Sequence, residues 1–230
     1  MNIATTLRYV NLGNNGYWAR RYYIMHDYEL MAKKYEFGLC AIMSEYDLDN
    51  ICDRCDGLII PGSGTNINPA YYGGAYEQNP ECIDEYYLDA KLMEAFLKRG
   101  KPIFGVCGGH QAINIFLGGT MKRMPDPDAH QNHDKRQHEI TIKKGSFVYD
   151  VFQSEKAIVN CHHGWQLDRI PDCLESVAET TDGVCEAIES KDLHIYATQW
   201  HPEQSFHDGS PLEQQFFANF LERCKECGQR

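Results

Sequence analysis

The stretch Pro102-Ile103-Phe104-Gly105-Val106-Cys107-Gly108-Gly109-His110-Gln111 restricts this chain more than any other. It opens as a short apolar run of strand type, behind a proline that would lack a ladder donor there in any case. The run breaks at Cys107, and Gln-Ala-Ile-Asn-Ile-Phe-Leu then follows with helical character. A strand–Cys–helix turn of this kind is a nucleophile elbow. It sets the sulfur at the tip of a sharp turn, beside N–H groups at a helix N-terminus that favour both a thiolate and an oxyanion. The flanking glycines let the chain bend and let a substrate come close to the backbone.

An elbow needs a sheet behind it, and the first half of the chain supplies one. Strands are expected over residues 2–7, 39–43, 57–60 and 102–106, and helices over 20–35, 47–55, 84–99 and 108–117. Strand and helix in alternation predict an α/β fold: a parallel sheet with helices on both faces. The turn signal Asn11-Leu12-Gly13-Asn14-Asn15-Gly16 follows the first strand, and a loop rich in Tyr, Gly, Asn and Pro runs to about residue 82. The second half reads differently. Residues 121–137 are polar and proline-containing, as a surface loop would be, and strands are expected near 138–142, 157–161, 174–179, 184–189 and 194–200. Asp182-Gly183 joins two of these as a hairpin, so extra antiparallel strands are expected here. A short helical turn fits 146–152, and an amphipathic helix over 211–224 closes the chain. With no internal repeat or linker, residues 1–230 read as a single domain.

Composition narrows the partners. A formal net charge of −11 argues against nucleic acid or an anionic membrane. No basic segment followed by an apolar stretch opens the chain, and no run approaches a membrane span, so a cytoplasmic protein is expected. Ten cysteines without a secretory signal read as reduced thiols. Cys52/Cys55 and Cys224/Cys227 are Cys-x-x-Cys pairs that could in principle share zinc. The plainer reading puts one pair just before a strand and the other at a frayed C-terminus, with no metal.

A cysteine nucleophile needs a general base that can return the proton to the leaving group. Gln199-Trp200-His201-Pro202-Glu203 ends a strand, and in extended geometry His201 and Glu203 project to the same face. Pro202 would hold that extended shape. A carboxylate beside an imidazole fixes its tautomer and stabilises the imidazolium. Cys107, His201 and Glu203 then read as nucleophile, base and orienter, although His-Pro-Glu taken alone is equally a solvated strand end. Oxyanion donors are expected from the N–H of Gly108 and from the turn Pro61-Gly62-Ser63-Gly64, at the sheet edge where open α/β folds bind ligands.

Together these residues resemble a known family. Gly105-Val106-Cys107-Gly108-Gly109-His110-Gln111 is similar to the nucleophile motif of class I glutamine amidotransferases, and Gln199 to Glu203 to their histidine–glutamate motif. Within that superfamily the loop from Pro61 to Gly73 resembles the γ-glutamyl hydrolase branch, as do His138 to Ile142 and the segment from Asp182 to Glu189. The resemblance implies a flavodoxin-like sheet and a cysteine hydrolase that cleaves a γ-glutamyl amide through a glutamyl thioester. It implies Ser63 and Gly108 as oxyanion donors. Gly62, Gly64, the Gln111 side chain and the backbone of His163, Gly164 and Trp165 would hold the glutamyl group. It implies no cofactor and no metal, and a small-molecule γ-glutamyl substrate.

Three departures stand out. Gly108 occupies a position where the branch usually carries Arg, and Leu88-Asp89 one where it often has Arg-Asp, so two cations near the site are missing. His163-Gly164-Trp165 is closer to amidotransferase subunits than to hydrolases. A glutaminase subunit that feeds ammonia to a partner synthase is therefore a rival reading, and a non-catalytic binding protein on the same fold is a weaker one. Homodimerisation is left open. The tyrosines of 71–87 (Tyr71, Tyr72, Tyr76, Tyr86, Tyr87) read as a lid or leaving-group pocket, or, for Tyr86 and Tyr87, as a helix face.

Overall fold

The computed structural model describes residues 1–11, 20–77, 84–124 and 134–228, with only the backbone for 11, 20 and 134–136. The turn signal at 12–16, the end of the Tyr-rich loop and most of the 121–137 loop lie outside the described residues. The parallel half is built from β1 (Asn2–Thr6), β4 (Gly38–Ile42), β5 (Gly57–Ile60), β6 (Ile103–Val106) and β13 (Ile195–Thr198). They lie in the order β4-β1-β5-β6-β13, each pair parallel, which is the flavodoxin-like order. Every residue of β5, β6 and β13 is buried, as expected for parallel strands covered on both faces.

Beyond β13 the sheet continues antiparallel through β12 (Cys185–Ser190), β11 (Glu175–Thr180), β8 (Asp134–Ile142) and β9 (Lys156–His162). Among the described residues this makes one nine-stranded sheet. The hairpin expected at Asp182-Gly183 forms, with Gly183 at φ 81° and Thr180 N–H donating to Val184 O at 2.9 Å.

Two core clusters flank the sheet. One gathers α1 (His26–Tyr35), α5 (Phe147–Phe152), α6 (Ser205–Asp208) and α7 (Gln215–Gly228), where Phe216, Phe217, Phe220 and Leu221 are each 3% exposed or less. Each such side chain contributes roughly 1.5–3 kcal/mol on burial. The other holds α2 (Leu48–Arg54), α3 (Glu85–Leu97) and α4 (Gly108–Phe116). The N-terminus of α4 sits hard against β5, so a Cβ at Gly109 would lie 2.1 Å from Ile60 O.

Several expectations need correction. The helix expected over 20–35 is a strand followed by a helix: β3 (Arg20–Tyr23) pairs antiparallel with β2 (Arg8–Asn11), and α1 begins only at His26. Residues 120–123 form β7 (Thr120–Arg123), paired with an unforeseen β10 (Trp165–Arg169), and β8 already starts at Asp134. The C-terminus is not frayed at Cys224, which is fully buried inside α7. Cys224 belongs to one core cluster, and Cys52 and Cys55 to the other. Among the described residues no group of three or more His, Cys, Asp or Glu is placed to hold a metal, and no helix is long and apolar enough to cross a membrane.

Candidate active site

The parallel strands β1, β5, β6 and β13 end at one edge of the sheet, and β9, running in the same direction, ends there too. Each delivers a segment to that edge. From β6 comes Cys107, at φ 49° and ψ −101°, a conformation L-residues rarely adopt. Its N–H donates to Thr198 O at 2.8 Å, which locks the elbow to β13. Strain of this kind persists only where the surroundings over-determine it. The thiol is 6% exposed and points toward the His162 carbonyl at 3.8 Å.

From β13 come Gln199, Trp200 and His201. His201 Nδ1 meets Glu203 Oε1 at 2.7 Å, and Glu203 is fully buried. The pairing is reached differently from the extended geometry expected. Pro202 opens a 3₁₀ turn (Pro202–Gln204), whose fixed φ suits a first helical position, and the carboxylate curls back under the ring. Burial alone would lower the His201 pKa. Against it, Glu203 and then Cys107 act on the ring, and the net shift is well above the ordinary histidine value. Nε2 is buried and carries no hydrogen bond, and the Cys107 thiol is among the groups that raise the ring's pKa.

The 61–64 turn follows β5. A Cβ placed on Gly62 would lie 3.0 Å from Cε1 of His201 and 3.5 Å from the Cβ of Cys107, so this turn, the base and the nucleophile converge. Gly62, Ser63, Gly64, Cys107, Gln111 and His201 share a cleft of about 500 Å³, and the 163–165 segment forms its other wall. Gly108 lies behind Ser63 instead, where its own Cβ would meet Ser63 N at 2.8 Å, and it faces a second cavity of about 270 Å³ together with Tyr71, Tyr76 and Tyr86. Glu203 sits beneath the cleft, reaching it only through His201. Gln111 uses Nε2 on Gln199 Oε1 at 3.1 Å and Trp165 O at 3.4 Å. The His163 ring turns inward to Trp165 O at 3.0 Å and Glu186 Oε1 at 3.2 Å.

Three partners of the site escape sequence reasoning. Arg8, 3% exposed, donates from Nε to Gly62 O at 3.2 Å and from Nη2 to Pro61 O at 2.6 Å, while Nη1 contacts Asp89 at 2.9 Å. A cation therefore stands beside the site after all, supplied by the start of β2, and the expected loss of charge near Asp89 is corrected. Glu85 accepts from Ser63 Oγ at 2.6 Å and Thr65 Oγ1 at 3.1 Å. Asn160 on β9 brackets His201: its Oδ1 accepts from His201 N–H at 2.8 Å and its Nδ2 donates to His201 O at 2.9 Å. A charged residue just past the first parallel strand was a usable signal for Arg8. Asn160 had none, because its partner lies on a distant strand.

The chain is similar to known proteins over most of its length. The family model described as Peptidase C26 matches residues 8–203. A Schizosaccharomyces pombe protein named "putative glutamine amidotransferase" is 30% identical over 187 residues, covering 77% of this chain and 73% of that one. The γ-glutamyl-γ-aminobutyrate hydrolase of Escherichia coli O157:H7 is 26% identical over 193 residues, covering 77% and 75%. The solved structure of a glutamine amidotransferase from Thermotoga maritima has the same fold at a TM-score of 0.67 and 14% identity, covering 97% of both chains.

Proposed function

The chain belongs to the peptidase C26 family, and we propose that it hydrolyses the γ-glutamyl amide bond of a small γ-glutamyl amine, with Cys107 as nucleophile, His201 as acid and base and Glu203 as orienter. The observation that carries this reading is the elbow itself, a Cys at positive φ beside a buried His whose Nδ1 is held 2.7 Å from a buried carboxylate. A protonated ring next to the sulfur favours the thiolate. The thiolate attacks the γ-carbonyl carbon, and the oxyanion that forms accepts from the N–H groups of Ser63 and Gly108, neither of which has an acceptor among the described residues.

His201 gives its proton to the departing nitrogen as the C–N bond breaks, leaving a glutamyl thioester on Cys107. It then takes a proton from water, whose oxygen attacks the thioester, and glutamate leaves as the sulfur regains its electron pair. Gly62 and Gly64 offer backbone beside the reacting carbon. Gln111, with Nε2 engaged internally, keeps Oε1 as an acceptor for the substrate's α-ammonium. The His163-Gly164-Trp165 wall faces the glutamyl group from the opposite side.

A second reading has its own support. Relatives named as glutamine amidotransferases, and the His163-Gly164-Trp165 segment, favour a glutaminase that passes ammonia to a separate synthase. Glutamate release from a panel of γ-glutamyl amines and from glutamine, measured with wild type and Cys107→Ala, separates the two. The hydrolase reading expects release from at least one γ-glutamyl amine and a drop of about a thousandfold or more in Cys107→Ala. Wild-type protein idle on every γ-glutamyl amine, yet active on glutamine once a synthase is added, would favour the second.

A further inference from the structure

We infer that Gln199 is a positioning residue for the nucleophile: its side-chain amide donates to the sulfur of Cys107 and holds it, as the thiolate, in one place. The inference rests on the reading of Cys107 as nucleophile and adds a group that the triad does not contain.

Gln199 is fully buried, with Nε2 3.5 Å from Cys107 Sγ. Which end of an amide faces the sulfur has to be fixed by its neighbours. Here they fix it without ambiguity. The Trp165 carbonyl can only accept, so the Gln111 atom 3.4 Å away is the donor Nε2. That same Nε2 lies 3.1 Å from Gln199, so the Gln199 atom it meets is Oε1. Nε2 of Gln199 is the end left for the sulfur.

His110 agrees from a second direction. Its Nδ1 lies 3.2 Å from Gln199 Oε1 in a fully buried setting, where burial lowers its pKa to about 4. A neutral ring with Nδ1–H donating is the form that fits. The Gln199 backbone is fixed as well, by N–H donation to Glu186 O at 2.7 Å. The amide is held at both ends.

What this does to the sulfur depends on its charge. A thiol can offer its hydrogen to the His162 carbonyl at 3.8 Å, whereas a thiolate facing that oxygen is repelled. The Gln199 N–H works in the opposite sense, because a hydrogen bond to an ionised acceptor is about twice as strong as one to a neutral acceptor. The contact therefore favours the reactive form and restrains its rotation about the strained elbow.

The test is the pH dependence of Cys107 alkylation by iodoacetamide, followed by mass spectrometry of the peptide that contains it, in wild type and Gln199→Met. Removing the donor should move the midpoint up by about one pH unit, or about tenfold in rate at a fixed pH below it. Because Gln199→Met also strands two buried donors, Gln199→Asn is run beside it. That variant keeps an amide but draws it back by one methylene, and it should move the midpoint in the same direction. Only protein with the wild-type far-UV spectrum is scored. A folded variant that loses turnover but keeps the wild-type midpoint overturns the inference and leaves Gln199 a packing residue. Wild-type Cys107 alkylating no faster than the other thiols would instead sink the nucleophile reading beneath it.

Discussion

A side chain at position 108 would begin 2.8 Å from the backbone nitrogen of Ser63 and 3.1 Å from its Cβ. The obstacle is backbone, which cannot swing aside as a flexible side chain would, so in this chain a side chain at 108 would have to displace the 61–64 turn that carries the second N–H assigned to the oxyanion. Gly108→Ala should therefore push the 61–64 turn away and lower kcat by about tenfold to a hundredfold, within the range for loss of one oxyanion donor. KM should move little, while the melting temperature should fall, because the displaced turn strains the contacts that Arg8 and Glu85 make with it. Steady-state kinetics on whichever γ-glutamyl amide is turned over, with a thermal melt, checks this. Unchanged kcat would mean that these amides do not share the oxyanion. The same glycine explains what sequence could and could not reveal. Cys107, His201 and Glu203 were legible as candidates because the elbow and the His-x-Glu spacing are carried by residue type over short stretches. The missing arginine at 108 was legible as a departure, but not its replacement. Arg8 stands on the far side of the turn, and its position just past the first parallel strand was a local signal whose partners only the fold identifies.

Between elements, the turn that follows β5 is held chiefly by Arg8. This one guanidinium bonds the Pro61 and Gly62 carbonyls and Asp89 of α3, which also accepts from Thr6 Oγ1 at 2.7 Å. Burial raises the Asp89 pKa above the usual carboxylate range, and Arg8 only partly opposes it, so the pair is costly to bury and strongly coupled. A lysine ammonium lacks the planar fork needed to serve three acceptors in two directions. Arg8→Lys should lower kcat by about tenfold and stability by about 2–4 kcal/mol, read from turnover and urea denaturation. A variant with full activity would show that the turn keeps its shape unaided. Elements were legible where one periodicity ruled, as in the buried apolar strands and the Asp182-Gly183 hairpin. They were lost where pairing overrode local spacing. Residues 20–23 look helical beside Leu30 and Met31, yet they form a strand because β2 lies opposite. At Pro202 the reverse holds: proline suits an extended chain and a first 3₁₀ position alike, and the buried Glu203 carboxylate, held to His201, goes with the second.

At the scale of the whole molecule, the start of α7 ties the site to stability through charge. Glu213 lies just ahead of that helix, and burial first, then the Glu203 carboxylate, raises its pKa to about 7. Next to it, Gln214 donates to Ser205 O at 2.7 Å and accepts at its carbonyl from Tyr35 at 3.0 Å, so the segment cannot simply move into water. In the unfolded chain Glu213 titrates near its ordinary value of 4.5. Between pH 4.5 and about 7 the native state thus holds more protons than the unfolded state, and stability falls as pH rises through that window. Asp27, raised mainly by burial, has the same sign at lower pH. His201 has it too, with a contribution fully present below pH 6.5 and lost only as pH passes its elevated native pKa. The wild-type protein should lose roughly 1–3 kcal/mol between pH 5 and pH 8 from Glu213. Glu213→Gln, which cannot ionise, should be the more stable protein at pH 8 and should flatten the profile in this window without abolishing the slope left by the other two. Urea denaturation at the two pH values decides it. A Glu213→Gln profile parallel to wild type would mean that Glu213 ionises freely in the native protein, with no coupling to the carboxylate beneath the candidate base.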